Sequence, residues 1–320
     1  GNGGRRMKTV KNRIASMPPA IYIIVVLIIA FSAMSDSFFS LSTFTNIINQ
    51  SSTLLLLACG QTLVVMLQGT DLSLGFQLSV VSVFWMWLLN HGVSMPAAII
   101  LAVFSGVFMG VINGVLVAKL NIPVFIVTLS MANIYRSIAL LLSGGFSLTY
   151  SSKLFAHVKS ALYLGFPLAT WIAVFGFLLT LFVLHKTRLG IRVRALGGNP
   201  EALRLAGSNT AMHIVKTFAY VGFMSSLAGL VLTCRVSSGN PLGGDGYEFN
   251  AVAAVLLGGS SLREGNGDVA GTLFGVLMLQ MFKSGLQIVG VSSLYQTFLI
   301  GAVVILALVI DAIIKKSRNV

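Results

Sequence analysis

The stretch His185–Lys216, HKTRLGIRVRALGGNPEALRLAGSNTAMHIVK, is the longest polar interval between two strongly apolar blocks of the chain. It holds six Lys and Arg residues and one acid, Glu201, whereas only 9 % of all 320 residues are charged. Charged side chains are costly inside hydrocarbon. The stretch is therefore predicted to lie outside a bilayer, as a loop at mid-chain between two sets of membrane-embedded segments.

The composition of the whole chain indicates an integral membrane protein. Hydrophobic residues make up 56 %, the mean hydropathy is +0.92 and the formal net charge is +13. Apolar runs near the roughly 20 residues that a helix needs to cross a bilayer recur from end to end, and the alternation typical of a transmembrane barrel is absent. The cations cluster between apolar blocks, which favours membrane topology over nucleic-acid binding as the reason for the basic charge.

These runs predict an all-α polytopic membrane protein with about ten transmembrane or re-entrant helices and an inverted repeat. No polar interval is long enough for a soluble core, so residues 1–320 are expected to form a single transmembrane domain. The segments are expected at about 18–35, 51–68, 72–90, 96–118, 123–143, 166–185, 214–234, 249–262, 268–290 and 294–314.

The distribution of cations predicts the orientation. The basic N-terminus (1–17), the central loop (186–213) and the tail (315–320) all lie on the cytoplasmic side of the membrane if the N-terminus does, as the positive-inside rule predicts. Both termini are then cytoplasmic. The opposite side receives the cations Lys153, Lys159 and Arg235.

Two pairs of short motifs suggest the internal repeat. Gly106–Met109 (GVFM) resembles Gly275–Met278 (GVLM), and Asp71 before the third segment has a counterpart in Asp245 before the eighth. Five segments separate the members of each pair. An odd offset gives the two copies opposite orientations in the membrane, which is the arrangement of inverted-repeat transporters.

Within the central loop, Pro200–Leu205 is predicted to form a short helix. Asn199 fits the N-cap, Pro200 the first helical position and Gly207 the end. The preceding pair Gly197-Gly198 is expected to allow a sharp turn. The loop is either a docking surface for a soluble partner or a solvated connection that only fixes topology, and the pattern leaves both open.

Asp71 interrupts the apolar block Thr53–Leu89, within the stretch Gln68–Gly75 (QGTDLSLG). An acid there is costly unless a turning backbone supplies hydrogen-bond donors, so it is expected either to cap the next helix or to form part of a gate. A second Gly-rich stretch, Gly239–Asn250, suits a re-entrant or broken helix. Its Glu248 either faces an outer vestibule or serves as a cap.

Three further polar residues fall inside predicted segments. Arg136 and Lys283 are cations, which within a membrane face a cavity, pair with a partner or snorkel to the headgroups. Asn113 lies among small residues that favour close helix packing, so its amide either joins helices or faces a pore. Together with Asp71 and Glu248, these residues form the predicted translocation pathway or gate.

Patterns of catalytic, nucleotide-binding and metal sites are absent from the sequence. No Gly-Lys dipeptide occurs, so the core of a P-loop is missing, and neither Gly-x-Ser-x-Gly nor His-Glu-x-x-His is present. Cys59 and Cys234 lie in apolar segments without metal-ligand spacing and are expected to be free thiols. The sequence predicts that the chain is not an enzyme, with no catalytic residue, metal or cofactor.

These residues resemble a known family, the permease subunits of bacterial ATP-binding-cassette importers of the ribose, xylose, arabinose and autoinducer-2 branch. The resemblance extends over nearly the whole chain from about Ile21. The chain departs from the family pattern at Thr70, where relatives carry Gly or Ile, and at Lys283, where Asn is common. The resemblance is carried by Gly69–Gly75 (GTDLSLG), by Ala195–Ala202 (ALGGNPEA) with Arg204–Gly207 (RLAG), and by Gly246–Leu262 (GYEFNAVAAVLLGGSSL).

The resemblance implies an import permease that works as a homodimer or as half of a related heterodimer. It would take a monosaccharide or similar small polar solute from a soluble binding protein, and separate ATPase subunits would drive it. In that family the central loop presents a helix that docks on the ATPase. The resemblance thus assigns coupling to Gly197, Gly198, Asn199, Glu201, Ala202, Arg204 and Gly207.

Judged from the residues alone, two other classes of function remain open. An ion-coupled secondary transporter requires intramembrane acids, which the eight acids of this chain supply poorly. A membrane enzyme or scaffold requires a catalytic constellation, and none is visible. At Lys283, the cation fits either an acidic or phosphorylated solute or the lipid interface.

Overall fold

The structure, a computed structural model, describes residues 19–318. The predicted basic N-terminus (1–17) and the last two residues of the predicted tail lie outside this range. The described part consists of thirteen helices and one two-stranded hairpin. They are α1 (Pro19–Met34), α2 (Leu41–Met66), α3 (Leu74–Asn90), α4 (Met95–Leu120), α5 (Val124–Ser143), α6 (Lys153–Ser160), β1 (Leu162–Tyr163), β2 (Phe166–Pro167), α7 (Leu168–Lys186), α8 (Arg188–Gly198), α9 (Pro200–Leu205), α10 (Thr210–Val236), α11 (Tyr247–Leu257), α12 (Val269–Ile288) and α13 (Ser293–Arg318).

The predicted class, an all-α polytopic membrane protein, is confirmed. Six helices, α2, α4, α5, α7, α10 and α12, are long and apolar enough to cross a membrane. Shorter apolar stretches in α1, α3, α11 and α13 occupy the remaining expected segments. The number of ten crossings stays a prediction, since the 11 residues of α11 span only about half of a hydrocarbon core at roughly 1.5 Å per residue.

The predicted boundaries agree with the structure within a few residues except at α2. This helix begins at Leu41, well before the expected start at residue 51, because the Ser40 hydroxyl caps it by accepting a hydrogen bond from the Thr43 N–H at 3.2 Å. Its first turns carry polar side chains such as Asn46 and Gln50, so this part of the helix does not form an apolar run in the sequence. The short helices α6 and α8 were missed for the same reason.

The two ends of the helix bundle carry different structures. At one end, α8 and α9 form the central loop, and we call this end the α9 face. At the other end lie α6 and the β1–β2 hairpin, where Leu162 pairs with Pro167 and Tyr163 with Phe166, and we call it the hairpin face. Because α7 connects β2 directly to α8, the two faces lie at opposite ends of a membrane-length helix.

Two irregular segments enter the bundle from opposite faces. Segment 67–73 starts at the α9 face, where the Gln68 side chain donates a hydrogen bond to the Gly197 carbonyl at 3.0 Å. Segment 237–246 starts at the hairpin face, where Gly239 and Leu148 exchange backbone hydrogen bonds of 2.8 and 2.9 Å. Segment 237–246 reaches the first turns of α3, the helix that follows segment 67–73, where the N–H of Gly244 donates to the Ser79 hydroxyl at 2.9 Å. The first turns of α3 and α11 therefore lie side by side inside the bundle.

Helix pairing matches the pattern expected of an inverted repeat. Helix α2 packs against α11 and α12, and its counterpart α10, five segments later, packs against α3 and α4. The GVFM and GVLM motifs do not occupy equivalent contacts, however. Gly106 of α4 faces Gly222 and Ser226 of α10, whereas Gly275 of α12 faces Ala254 of α11. The two motifs thus serve different packing partners, and the helix pairing supports the repeat instead.

We expect the contact between α4 and α10 to depend on its glycines. A Cβ at Gly222 would collide with the backbone carbonyl of Gly106, so Gly222→Leu would force the two helices apart. The variant should lose about 3 kcal/mol of stability or more, seen as a lower Tm and a lower yield of monodisperse protein in detergent. Gly301→Leu is the control, because a Cβ there has open space. An equal Tm for both variants would contradict the expected packing role.

Candidate functional site

Helix α9 is a preformed surface element of the central loop. The Asn199 side chain caps it by accepting a hydrogen bond from the Ala202 N–H at 2.9 Å, and Pro200 occupies the first turn. Gly207 follows with φ +77°, a left-handed conformation that favours glycine and ends the helix. The predicted short helix and its cap are confirmed. Local sequence alone is enough to build this element.

The predicted sharp turn at Gly197-Gly198 is wrong. Both glycines are the last residues of α8, and the chain changes direction at Asn199, which has an extended backbone with φ −156°. Gly197 is buried, and a Cβ there would collide with the backbone carbonyls of Met66 and Gly265. Gly198 is exposed, and a Cβ there would meet open space. Only Gly197 is required for a close backbone approach.

The exposed side of α9 combines charge with an apolar residue. Arg204 pairs with Glu201 through two hydrogen bonds of 2.9 and 2.6 Å, and the guanidinium lowers the pKa of the Glu201 carboxyl, which keeps the acid ionised at neutral pH. Next to this pair, Leu205 is 76 % exposed. No residue of α9 is buried, so the whole helix is accessible to a partner outside the chain.

Asp71 lies at the centre of a buried polar network in front of α3. Its Oδ1 atom accepts hydrogen bonds from the N–H and the hydroxyl of Ser73 at 2.7 and 2.6 Å. Asn113 donates to the Ser73 hydroxyl at 2.8 Å and accepts from the Tyr135 hydroxyl at 2.9 Å. The structure therefore brings Asp71 and Asn113 together. The Asp71 carboxylate accepts from the backbone N–H of Ser73 directly before α3, as its predicted cap role requires, whereas Ser73 itself makes no side-chain cap hydrogen bond to the helix.

Glu248, in the first turn of α11, lies beside Gly75 in the first turn of α3. Its Oε1 atom accepts a hydrogen bond from the Gly246 N–H at 3.2 Å, while its Oε2 atom has no hydrogen-bond partner and lies against Gly75. The side chain is only 4 % exposed. The prediction that Glu248 faces an outer vestibule is therefore wrong, because segment 237–246 carries the start of α11 deep into the bundle.

The two cations predicted inside membrane segments do not join this network. Arg136 is exposed, and its guanidinium carbon lies 5.7 Å from the centre of the Phe76 ring. Lys283 is exposed on α12. Both lie on the outer surface of the single chain, apart from the buried hydrogen bonds around Asp71. Only Asp71, Asn113 and Glu248 of the predicted pathway residues surround the first turns of α3.

Sequence reasoning missed several members of the network, namely Ser73 and Tyr135 and the glutamines Gln61 and Gln77, which bond to Asp71 and Ser73. Ser73 links Asp71 to Asn113. It lies two residues after the acid in the GTDLSLG stretch, and this position could have indicated that its hydroxyl bonds to the carboxylate. Tyr135 is only 2 % exposed, and its hydroxyl donates to both the Met109 carbonyl and the Asn113 side chain. A tyrosine within an apolar helix carries no sequence signal that separates this role from ordinary packing.

Comparison with known proteins identifies the class. A family model described as branched-chain amino acid transport system / permease component matches residues 43–308, and the chain belongs to this family. It is therefore a transmembrane permease of a transport system, as the resemblance implied. No solved structure matches the chain significantly.

Individual relatives place the chain in the sugar-importer branch of this family. The ribose import permease protein RbsC of Escherichia coli (strain K12) is 36 % identical over 90 % of this chain and 91 % of that protein. RbsC of Bacillus subtilis (strain 168) is 36 % identical over 91 % of each. The autoinducer 2 import system permease protein LsrC of Salmonella choleraesuis (strain SC-B67) is 32 % identical over 91 % of this chain and 84 % of that protein.

The close approach of Gly197 predicts a difference between neighbouring glycines. Gly197→Ala should lower the Tm by several degrees, because the new Cβ must push away two backbone carbonyls. Gly198→Ala should leave the Tm unchanged, since alanine suits a helix and nothing lies near its Cβ. Thermal unfolding of the two purified variants in one detergent checks this. A Gly197→Ala variant as stable as Gly198→Ala would exclude the tight contact.

Proposed function

We propose that this permease imports a monosaccharide or a similar small polar solute. A soluble binding protein delivers the solute, two separate ATPase subunits supply the energy, and the permease acts with a second permease subunit, either a copy of itself or a related chain. The observation that carries the proposal is the match over about nine tenths of the chain to relatives named as ribose and autoinducer 2 import permeases. The same matches favour an importer of this type over an ion-coupled secondary transporter.

The proposed orientation places the α9 face in the cytoplasm of a bacterial cell and the hairpin face outside the inner membrane. The positive-inside rule supports it, since the basic residues of the central loop lie at the α9 face. Both termini are then cytoplasmic. The exposed helix α9 would contact the ATPase, with Glu201, Arg204 and Leu205 at the contact surface.

The proposed transmission starts at Gly197. This residue packs against the end of α2 at Met66 and against Gly265, which follows α11. A displacement of α9 and α8 on closure of the ATPases would therefore reach segment 67–73 through the end of α2, and segment 237–246 through α11. Asp71, Asn113 and Glu248 lie around the first turn of α3, which suits them to a gate that opens when α3 and α11 separate.

The proposal is tested by solute uptake into proteoliposomes. The permease is reconstituted with or without the ATPase and the binding protein, and a panel of labelled sugars is supplied with ATP. Uptake that needs all three components is the expected result. Uptake by the permease alone under an ion gradient would replace the proposal with a secondary transporter.

A charge reversal on α9 tests its contact with the ATPase. Glu201→Arg removes the ion pair with Arg204 and places two cations together on the exposed surface, so ATP-driven uptake should fall about tenfold or more. The variant should still enter the membrane and bind solute-loaded binding protein. Lys119→Glu is the control, because it also reverses one charge on the same face, in the opposite direction, but outside α9. Wild-type uptake by Glu201→Arg would exclude α9 as the docking element.

A further inference from the structure

A cavity of about 560 Å³ lies at the hairpin face, and its volume is within the range of small-molecule sites. Val103 of α4 and Ile172 of α7 line two opposite walls, and Leu227 and Leu230 of α10 form the floor. In the described part of the chain, α4 and α7 each pack against α10 but make little direct contact with each other. Phe175 of α7 also lines the cavity and is 57 % exposed on the outer surface. The cavity therefore opens sideways between two membrane-length helices, towards the lipid.

The cavity is polar near the membrane surface and apolar further inside. Arg235, in the last turn of α10, donates hydrogen bonds to the Gln50 carbonyl at 3.3 Å and to the Thr53 hydroxyl at 3.0 Å. Among the described residues that line the cavity, Arg235 is the only charged one. Val103 and Leu227 lie about two turns, or roughly 11 Å, deeper than the ends of α4 and α10 at the hairpin face. Because half of a hydrocarbon core is about 15 Å thick, the cavity spans most of one leaflet, with its cation at the surface.

Two buried polar atoms beside this cavity have no hydrogen-bond partner among residues 19–318. They are the indole N–H of Trp85, a residue only 1 % exposed, and the Oδ1 atom of Asn49. Both residues line the cavity. Buried polar groups are normally satisfied. The indole N–H can donate to a carbonyl oxygen, and the Asn49 oxygen can accept from a hydroxyl or an ammonium group, so the two atoms indicate a ligand that carries both kinds of group.

We propose that this cavity binds a phospholipid from the leaflet at the hairpin face. One acyl chain lies between α4 and α7 on the floor formed by α10, the phosphate binds Arg235, and an ester carbonyl accepts a hydrogen bond from the Trp85 indole. A cation at the surface, then a hydrogen-bond donor, then apolar side chains follow the same order as the groups along a phospholipid. The inference rests on the location of α4 and α7 in a membrane and is independent of the transported solute.

Quenching of Trp85 fluorescence by a brominated phospholipid tests the proposal. Trp87→Phe together with Trp171→Phe leaves Trp85 as the single tryptophan of the full chain, which is placed in nanodiscs of phosphatidylglycerol with dibrominated acyl chains. Bromine quenches only on close approach, so a tryptophan that is 1 % exposed should be quenched only if an acyl chain enters the cavity. Val103→Phe, which fills the cavity, should reduce the quenching severalfold. Ile100→Phe is the matched control, because it enlarges a residue of the same helix that is 68 % exposed and lies outside the lining.

A second measurement tests the contact between Arg235 and the phosphate. The delipidated full chain in detergent is titrated with phosphatidylglycerol, and native mass spectrometry counts the bound lipid. Arg235→Gln should bind the lipid about tenfold more weakly than the wild type, because a charge-assisted hydrogen bond is lost. Lys153→Gln should bind like the wild type, since it removes a cation at the same face outside the cavity. The Tm of each variant shows whether it is folded, and the quenching by Val103→Phe keeps the proposal testable if Arg235→Gln does not fold.

Two results would overturn the lipid site. One is unquenched Trp85 fluorescence under conditions in which a variant with Trp171 alone, a residue 37 % exposed on α7, is quenched. The other is displacement of the brominated lipid by ribose or by inorganic phosphate, because the cavity would then serve a polar solute. Neither result bears on the energy source of transport, which the uptake experiment with the ATPase and the binding protein measures separately.

Discussion

The close contact between the starts of α3 and α11 is the constraint on which the rest of the structure depends. A Cβ on Gly75 would collide with the Gly244 carbonyl and the Glu248 carboxylate, so the two backbones touch without side chains between them. Segments 67–73 and 237–246 must leave regular helix to reach this point. Irregular backbone at membrane depth is tolerated only where protein or a wet cavity surrounds it. The long helices α2, α4, α10 and α12 supply that cover.

The same constraint explains where buried polar groups concentrate. The hydroxyl of Ser79 accepts a hydrogen bond from Gly244, and Ser73, Asn113 and Tyr135 surround Asp71. These groups form hydrogen bonds with backbone or side-chain atoms that have no partner within the interrupted helices. Stability and the proposed gate therefore rest on one set of residues. Such a junction can change its hydrogen bonds without dismantling the outer helices, which suits a transport protein.

Gly197 connects this interior to the α9 face. Its backbone touches Met66, which precedes segment 67–73, and Gly265, which follows α11. Helix α11 in turn follows segment 237–246. The Gln68 side chain adds a hydrogen bond to the Gly197 carbonyl. Helix α8, which leads directly into the exposed helix α9, is thus attached to the bundle by backbone contact, which is stiffer than contact through flexible side chains. The position of the central loop and the position of the buried acids are parts of one packed unit.

The sequence by itself determined the membrane class, most segment boundaries and the helix α9 with its cap, because these follow from local hydropathy and from side chains that bond within a few residues. It also marked Asp71 and Glu248 as exceptional, since acids are rare in apolar stretches. Only the tertiary structure decided their surroundings. The burial of Glu248 against Gly75 and the hydrogen bonds that link Ser73 through Asn113 to Tyr135 join residues far apart in the chain. Such contacts depend on how the helices pack, and no local pattern encodes them.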